Sequence, residues 1–313
     1  MNRAMTLACL RTSALPLIAV LAILFHQAAP VAKAQPPGVV TGAGAAGGPP
    51  GATRPEPIVS LRADTTLPDD ASRHAVELST ELKFKRGWQN VIKPTLSLRH
   101  EQYDLDLGDD LGTTELPDQA THAELGLSLL RFTTSGWSFF ARGELFGAAE
   151  DPDELADDIN PLLLAAAGRQ FANRNKLGFG LIAKQDIEED WRVFPIPTFE
   201  LHFANDWSLL SERGLLLQRA LNEDPKRPAT FGLGVDYLNS RFRAESGEVF
   251  EYNAAPVYLE WQQPVDEGLT LKARLGAVVW GEIERDDARG RGIEDADFDP
   301  GFHAAIQATW NFK

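Results

Sequence analysis

Apolar and polar residues alternate with a period of two along most of the chain. Val76, Leu78, Thr80, Leu82 and Phe84 oppose Glu77, Ser79, Glu81, Lys83 and Lys85, while Ala123, Leu125, Leu127 and Leu129 oppose His122, Glu124, Gly126 and Ser128. The pattern recurs over 137–145, 177–181, 231–237, 257–261, 269–279 and, most strictly, 302–312. Successive side chains of a strand point to opposite faces, so each run predicts a β-strand with one apolar face. Many of the runs reach about ten residues, whereas strands of soluble domains average about five or six and membrane-crossing strands take about nine to eleven.

The first 34 residues read as a removed signal peptide: Arg3 and Arg11 precede an apolar run over 15–25, and Ala32-Lys33-Ala34 offers a cleavage site. Residues 35–56, rich in Gly, Ala and Pro, read as a flexible linker, which leaves 57–313 as one domain. A terminal strand ending on Phe312, in a chain that opens with an export signal, resembles the closing strand of bacterial outer-membrane β-barrel proteins; the departure is Lys313, which follows the aromatic. The chain as a whole resembles the uncharacterised outer-membrane β-barrel families of Gram-negative bacteria. That resemblance implies an all-β fold, an antiparallel transmembrane β-barrel in the outer membrane, contact with outer-membrane lipid and passage through the barrel-insertion machinery. It names no substrate.

In such barrels short turns and long loops alternate. Connections are short near Gly87, Thr134, Glu188 and Pro264 and long over 104–120, 148–173 and 284–301. With a first strand at 57–63 this gives twelve strands, ten being the alternative count, and puts both ends of the barrel in the periplasm. The short connection at 204–206 falls where a long one is due. Residues 151–164, with Leu155, Ile159, Leu162 and Leu163 at helical spacing, read as an inward plug or a short surface helix. Pro94, Pro195, Pro197 and Pro256 fall in proposed strands and remove ladder donors, so a bulge or a late strand start is expected at Pro195 and Pro197. If these strands are edges, the alternative is a soluble periplasmic β-sandwich that binds a ligand.

Charge and chemistry refine this reading. The chain holds 30 basic and 45 acidic side chains; loss of Arg3, Arg11 and Lys33 with the signal leaves 27 basic, a balance that argues against nucleic-acid binding. The one cysteine, Cys9, lies in the signal, which excludes disulfides and thiol chemistry from the mature chain. On the inward faces the alternation places Arg99, Glu124, Arg142, Glu144, Lys184, Arg192, Glu200, Glu260, Lys272 and Arg274 as lumen-facing, with the two signs mixed. The function expected is a passive pore for a small solute, or a structural surface protein, with no enzyme activity, cofactor or metal. A barrel hydrolase is the alternative, with His122, Glu124, Glu200 and His202 as the first residues to suspect, though no serine or second acid is placed beside them.

Overall fold

The computed structural model describes residues 55–312, apart from 69, 87–88, 108–109, 113–115, 157, 172–173, 186, 188–190, 204–205, 212–213 and 223–227. The segments expected to be a signal peptide and, nearly all of it, a linker lie outside the described residues. Sixteen strands form one sheet. They are β1 (Glu56–Leu67), β2 (Ala71–Arg86), β3 (Asn90–Leu105), β4 (Gln119–Phe132), β5 (Trp137–Ala149), β6 (Asn160–Gln170), β7 (Lys176–Lys184) and β8 (Arg192–Phe203), followed by β9 (Trp207–Ser211), β10 (Leu215–Ala220), β11 (Thr230–Val235), β12 (Leu238–Arg243), β13 (Val249–Pro264), β14 (Leu269–Asp286), β15 (Gly292–Asp297) and β16 (Gly301–Asn311).

Antiparallel pairing runs from β1 through β11, then to β13, β14 and β16, and β16 returns to β1 with Ile58 opposite Asn311 and Leu67 opposite Phe302. The ring is closed, and it contains fourteen strands, not the twelve or ten expected. Two local patterns account for the difference. The 160–170 stretch is β6. Its inward residues are apolar as well, so no alternation marked it as a strand, and the expected plug or helix over 151–164 reduces to a single 3-10 turn at Pro152–Glu154. Residues 207–211 and 215–220 form two short paired strands, β9 and β10. Residues 204 and 205 lie outside the described residues, but with β6 inserted the flanking Phe203 and Trp207 stand at the end of the barrel where Glu56 and Phe312 lie, where a short connection is due.

Alternate residues face outward and are apolar and exposed, among them Leu96, Leu98, Leu125, Leu127, Leu129, Leu163, Phe179 and Leu181. A continuous apolar exterior of this kind is what lipid requires and what a water-soluble monomer avoids. Phe132, Trp137, Phe203, Trp207 and Trp261 sit near one rim and Trp191 and Trp280 toward the other. Tyr103, by contrast, is buried inside because it shares the register of Arg99 and Glu101.

The prolines are accommodated without an early break in any strand. Opposite Pro94 the β2–β3 ladder lapses, but Glu81↔Thr95 and Phe84↔Ile92 keep one register on either side. Pro256 sits at a bulge, where Ala255 pairs with Trp280 and Pro256 with Val278. Pro195 and Pro197 show neither a bulge nor a late start; β8 runs regularly along β7 through both of them. On its other side β8 pairs with β9 only from Glu200 to Phe203.

The bulge turns part of the sheet inward. β11 and β12 keep one continuous register along β13, interrupted only at Asp236 and Tyr237, yet β12 has left the wall. Beyond the bulge, β12, the first part of β13, the end of β14 and β15 form a four-stranded sheet that folds into the loop-side end of the barrel. Its edge strand β12 reaches β5, where Arg243 pairs with Ala149. Bulges bend the strand that carries them and strengthen its twist, which is how this sheet is re-aimed.

Candidate functional site: a lumen with an inward-folded sheet

The inward-folded sheet is anchored by an aromatic cluster. Phe242, Phe250 and Tyr252 are almost fully buried. Tyr252 stacks on Phe298 at 5.1 Å between ring centroids, and Phe242 on Tyr103 of β3 at 5.4 Å. Burying side chains of this size is worth roughly 1.5–3 kcal/mol each relative to water. Gly281 on β14 makes room for Phe298, whose ring would lie 1.9 Å from a Cβ placed there.

Beneath the aromatics lies a buried polar hub contributed by the opposite wall. Arg73 on β2 donates to Asp64 at 2.7 Å and to Glu101 through Nε at 3.0 Å, with a second, shorter bond to Glu101 from Nη2. Glu101 is fully buried and also accepts from the Tyr103 and Ser240 hydroxyls. Above this, the Tyr252 hydroxyl meets Thr66 Oγ1 at 2.8 Å. At the rim of the folded sheet, Arg243 holds Asp158 with two bonds of 2.6 and 3.1 Å, and Arg241 binds Asp286 at 2.6 Å and Glu251 at 2.7 Å. A charge buried with both partners in place is tolerated, and loss of either partner is costly.

The hub brings a serine, a histidine and a carboxylate together, a grouping that sequence alone did not place. His122 Nε2 lies 3.0 Å from Glu101 Oε2 and 3.1 Å from Ser240 Oγ, while Nδ1 faces the Arg99 guanidinium at 3.4 Å. A hydrolytic relay needs the acid on one ring nitrogen and the serine on the other. Here one nitrogen faces both groups, and Ser240 donates its own proton to the same carboxylate. The arrangement ties β12 to β3 and β4 and lacks the geometry of that relay. The other suspected pair is remote from it: Glu200 and His202 bond at 2.9 Å near the opposite end of the barrel.

The residues expected in the lumen fall into three groups. Arg99, Glu124, Glu144 and Lys184 line a cavity of about 220 Å³ beside Asn239 and Arg241 of the folded sheet. Arg142 bridges two of these lining residues, Glu124 and Glu144, the latter at 2.6 Å. Lys272 and Arg274 line a second cavity of about 330 Å³, where Arg274 contacts Glu260 at 2.8 Å and Asp236 at 3.0 Å and lies 4.3 Å over the Tyr258 ring. Arg192 and Glu200 stand at the two ends of β8, Glu200 paired with Lys176. The sequence reading missed Asp64, Arg73 and Ser240. Asp64 and Arg73 were readable as inward positions had β1 and β2 been extended to their full lengths, whereas Ser240 is a consequence of the fold-in and left no local signal.

The two halves of the interior differ in chemistry. From β13 through β16 and β1 to β5 the inner face is charged. At mid-height from β6 to β8 it is apolar, between charged ends: in cross-strand order Arg142 is followed by Leu164, Ile182 and Phe194, and the row beside it reads Phe140, Ala166, Gly180 and Ile196. Leu210 and Leu216 continue the strip on β9 and β10.

No protein-family model matches the chain, and no curated protein matches it in sequence. Among solved structures it is similar to the COG4313 outer membrane channel from Pseudomonas putida F1, with 10% identity over 86% of this chain and 100% of that one, at a TM-score of 0.46. It is also similar to the KdgM porin in complex with disordered oligogalacturonate, with 8% identity, 81% and 99% covered and a TM-score of 0.36. A third is a TodX monoaromatic hydrocarbon channel mutant, with 10% identity, 82% and 90% covered and a TM-score of 0.39. A closed antiparallel ring, apolar outside and charged within, is the architecture of an outer-membrane β-barrel.

Proposed function

We propose that the protein is a passive outer-membrane channel for a small solute, held closed by its own inward-folded sheet. One observation carries this reading: fourteen strands enclose a charged lumen, and β12–β15 cross it at the loop end instead of extending outward as loops. Acids and bases pair along the wall, as in Arg142 with Glu124 and Glu144 or Arg274 with Glu260, so neither sign of ion is favoured by an unbroken ladder. On this reading Arg99, Lys184, Arg192, Glu200 and Lys272 border the solute path, outer-membrane lipid covers the exterior, and β16 is the strand offered to the barrel-insertion machinery. Residues 1–34 are then removed on export, and 35–56 form a tether ahead of the barrel.

Single-channel recording in planar bilayers tests the proposal. Wild-type protein is expected to show rare, brief openings, and a Tyr252→Ala, Arg243→Ala variant, which releases the folded sheet at two points, to open more often. A variant that retains heat-modifiable migration on gels yet passes no current would overturn the channel in favour of a structural surface barrel.

A further inference from the structure

We infer that the barrel wall has a lateral portal, through which a small, uncharged, predominantly apolar solute passes between the apolar half of the lumen and the bilayer. This deepens the channel reading by naming the class of solute, and it rests on that reading.

The first observation is a gap in the ring. β9 has five residues and β10 six, while β8 has twelve. Among the described residues, no strand pairs with residues 192–199 on the side away from β7. Across the gap, β11 parts from β10 at Val235 and β12 turns into the lumen. At about 3.3 Å per residue and a tilt near 40°, β9 rises roughly 13 Å, about half of an apolar band roughly 25 Å tall. The gap therefore opens within the hydrocarbon, and it is two strands wide, roughly 10 Å.

The second observation is that the exposed edge lacks backbone donors where its partner strand is missing. The Phe199 N–H points toward β9 and is satisfied by Ser211 Oγ at 2.7 Å. By the two-residue repeat of a strand, the N–H groups of 197 and 195 would point the same way, and both residues are proline, which has no donor. An unsatisfied donor in hydrocarbon costs several kcal/mol. The sequence removes these two donors where the partner strand is missing.

The third observation is what the gap leads to. Phe194 and Ile196 point inward from the same edge, Phe194 remains 47% exposed, and Ile182, Leu164, Leu210 and Leu216 extend the apolar surface on both sides. A strand whose lumen served only polar solutes would carry polar residues there, as β2 and β3 do. The opening suits a single ring or an alkyl chain.

The test uses cells expressing the full chain and N-phenyl-1-naphthylamine, an apolar dye that fluoresces once it reaches membrane interior. Wild-type cells are expected to take up the dye faster than vector-only cells. Phe194→Lys and Ile196→Lys, each placing a cation on the path without altering ladder hydrogen bonds, are expected to cut the excess rate by about tenfold. Heat-modifiable migration shows that each variant is folded, and planar-bilayer conductance is recorded on the same proteins. Conductance with dye uptake at the vector level would overturn the portal and leave the channel standing, as it would if the gap only seats a bilayer acyl chain. Excess uptake unaffected by both lysines would overturn the assigned path. Dye uptake without ion conductance would support the portal while removing the polar pore.

Discussion

The Tyr252 hydroxyl and Thr66 Oγ1 lie 2.8 Å apart, joining residues 186 positions distant in sequence. One belongs to the inward-folded sheet and the other to the first strand of the wall, so this bond reports directly whether the lumen is crossed. Tyr252→Phe keeps the ring and deletes the bond. A neutral hydrogen bond contributes about 1 kcal/mol net, so the open fraction in single-channel records should rise about fivefold. An unchanged open fraction would mean the aromatic stack alone holds the sheet.

Removing one member of the buried hub should be more severe. Glu101→Ala leaves Arg73 facing Asp64 alone in a buried site, a type of change that costs about 3–5 kcal/mol. The expected result is a clear fall in the temperature or urea concentration at which the compact gel band disappears. The double change Arg73→Met, Glu101→Leu should recover most of that loss, because no charge is then left unpaired.

Gly281→Val tests the seat of Phe298. A Cβ at this position would stand 1.9 Å from the ring, so the ring must leave its place over the backbone. Overpacking of this kind costs about 1–3 kcal/mol. Since Phe298 stacks on Tyr252, the variant should loosen the folded sheet without opening the wall: trypsin cleavage in β12–β15 should accelerate while heat-modifiable migration persists.

The turn between β14 and β15 gives a pH prediction. Asp287 accepts from the Arg291 side chain and from the Arg291 and Arg289 amides, and these bonds draw its carboxyl down to about 2. A carboxylate held below its usual value stabilises the folded turn at pH above about 4, and the contribution is lost as pH falls through about 2. Carboxyl carbon shifts in an NMR titration should place the Asp287 midpoint near 2. Arg291→Ala should return it toward the ordinary carboxylate range.

Much of the barrel was legible because most strands separate lipid from a polar interior, and that contrast writes a period of two into the chain. Strands β2, β4, β5 and β16 show it plainly. Where the contrast fails, so does the reading. In β6, Leu162 and Leu164 face in and Leu163 faces out, so the run looks like one turn of an apolar helix. The first part of β13 is buried on both faces because it leaves the wall, and nothing within it announces the departure. Alternation puts Arg142 on one face with Glu124, and Arg274 with Glu260, while their meeting as pairs depends on strand register. The meeting of Ser240 with Glu101 and His122 depends instead on a sheet folding across the barrel.

Pro195 and Pro197 have a consequence for company as well as for solvent. A bare strand edge is an invitation to any other extended chain, and inside a membrane crowded with barrels and unfolded precursors the nearest such chain is another copy in the act of inserting. An edge that offers carbonyls but lacks donors at alternate positions cannot complete a ladder with a visitor. The same two residues that spare the open edge of β8 its donors therefore also disfavour the pairing of that edge with a visiting strand.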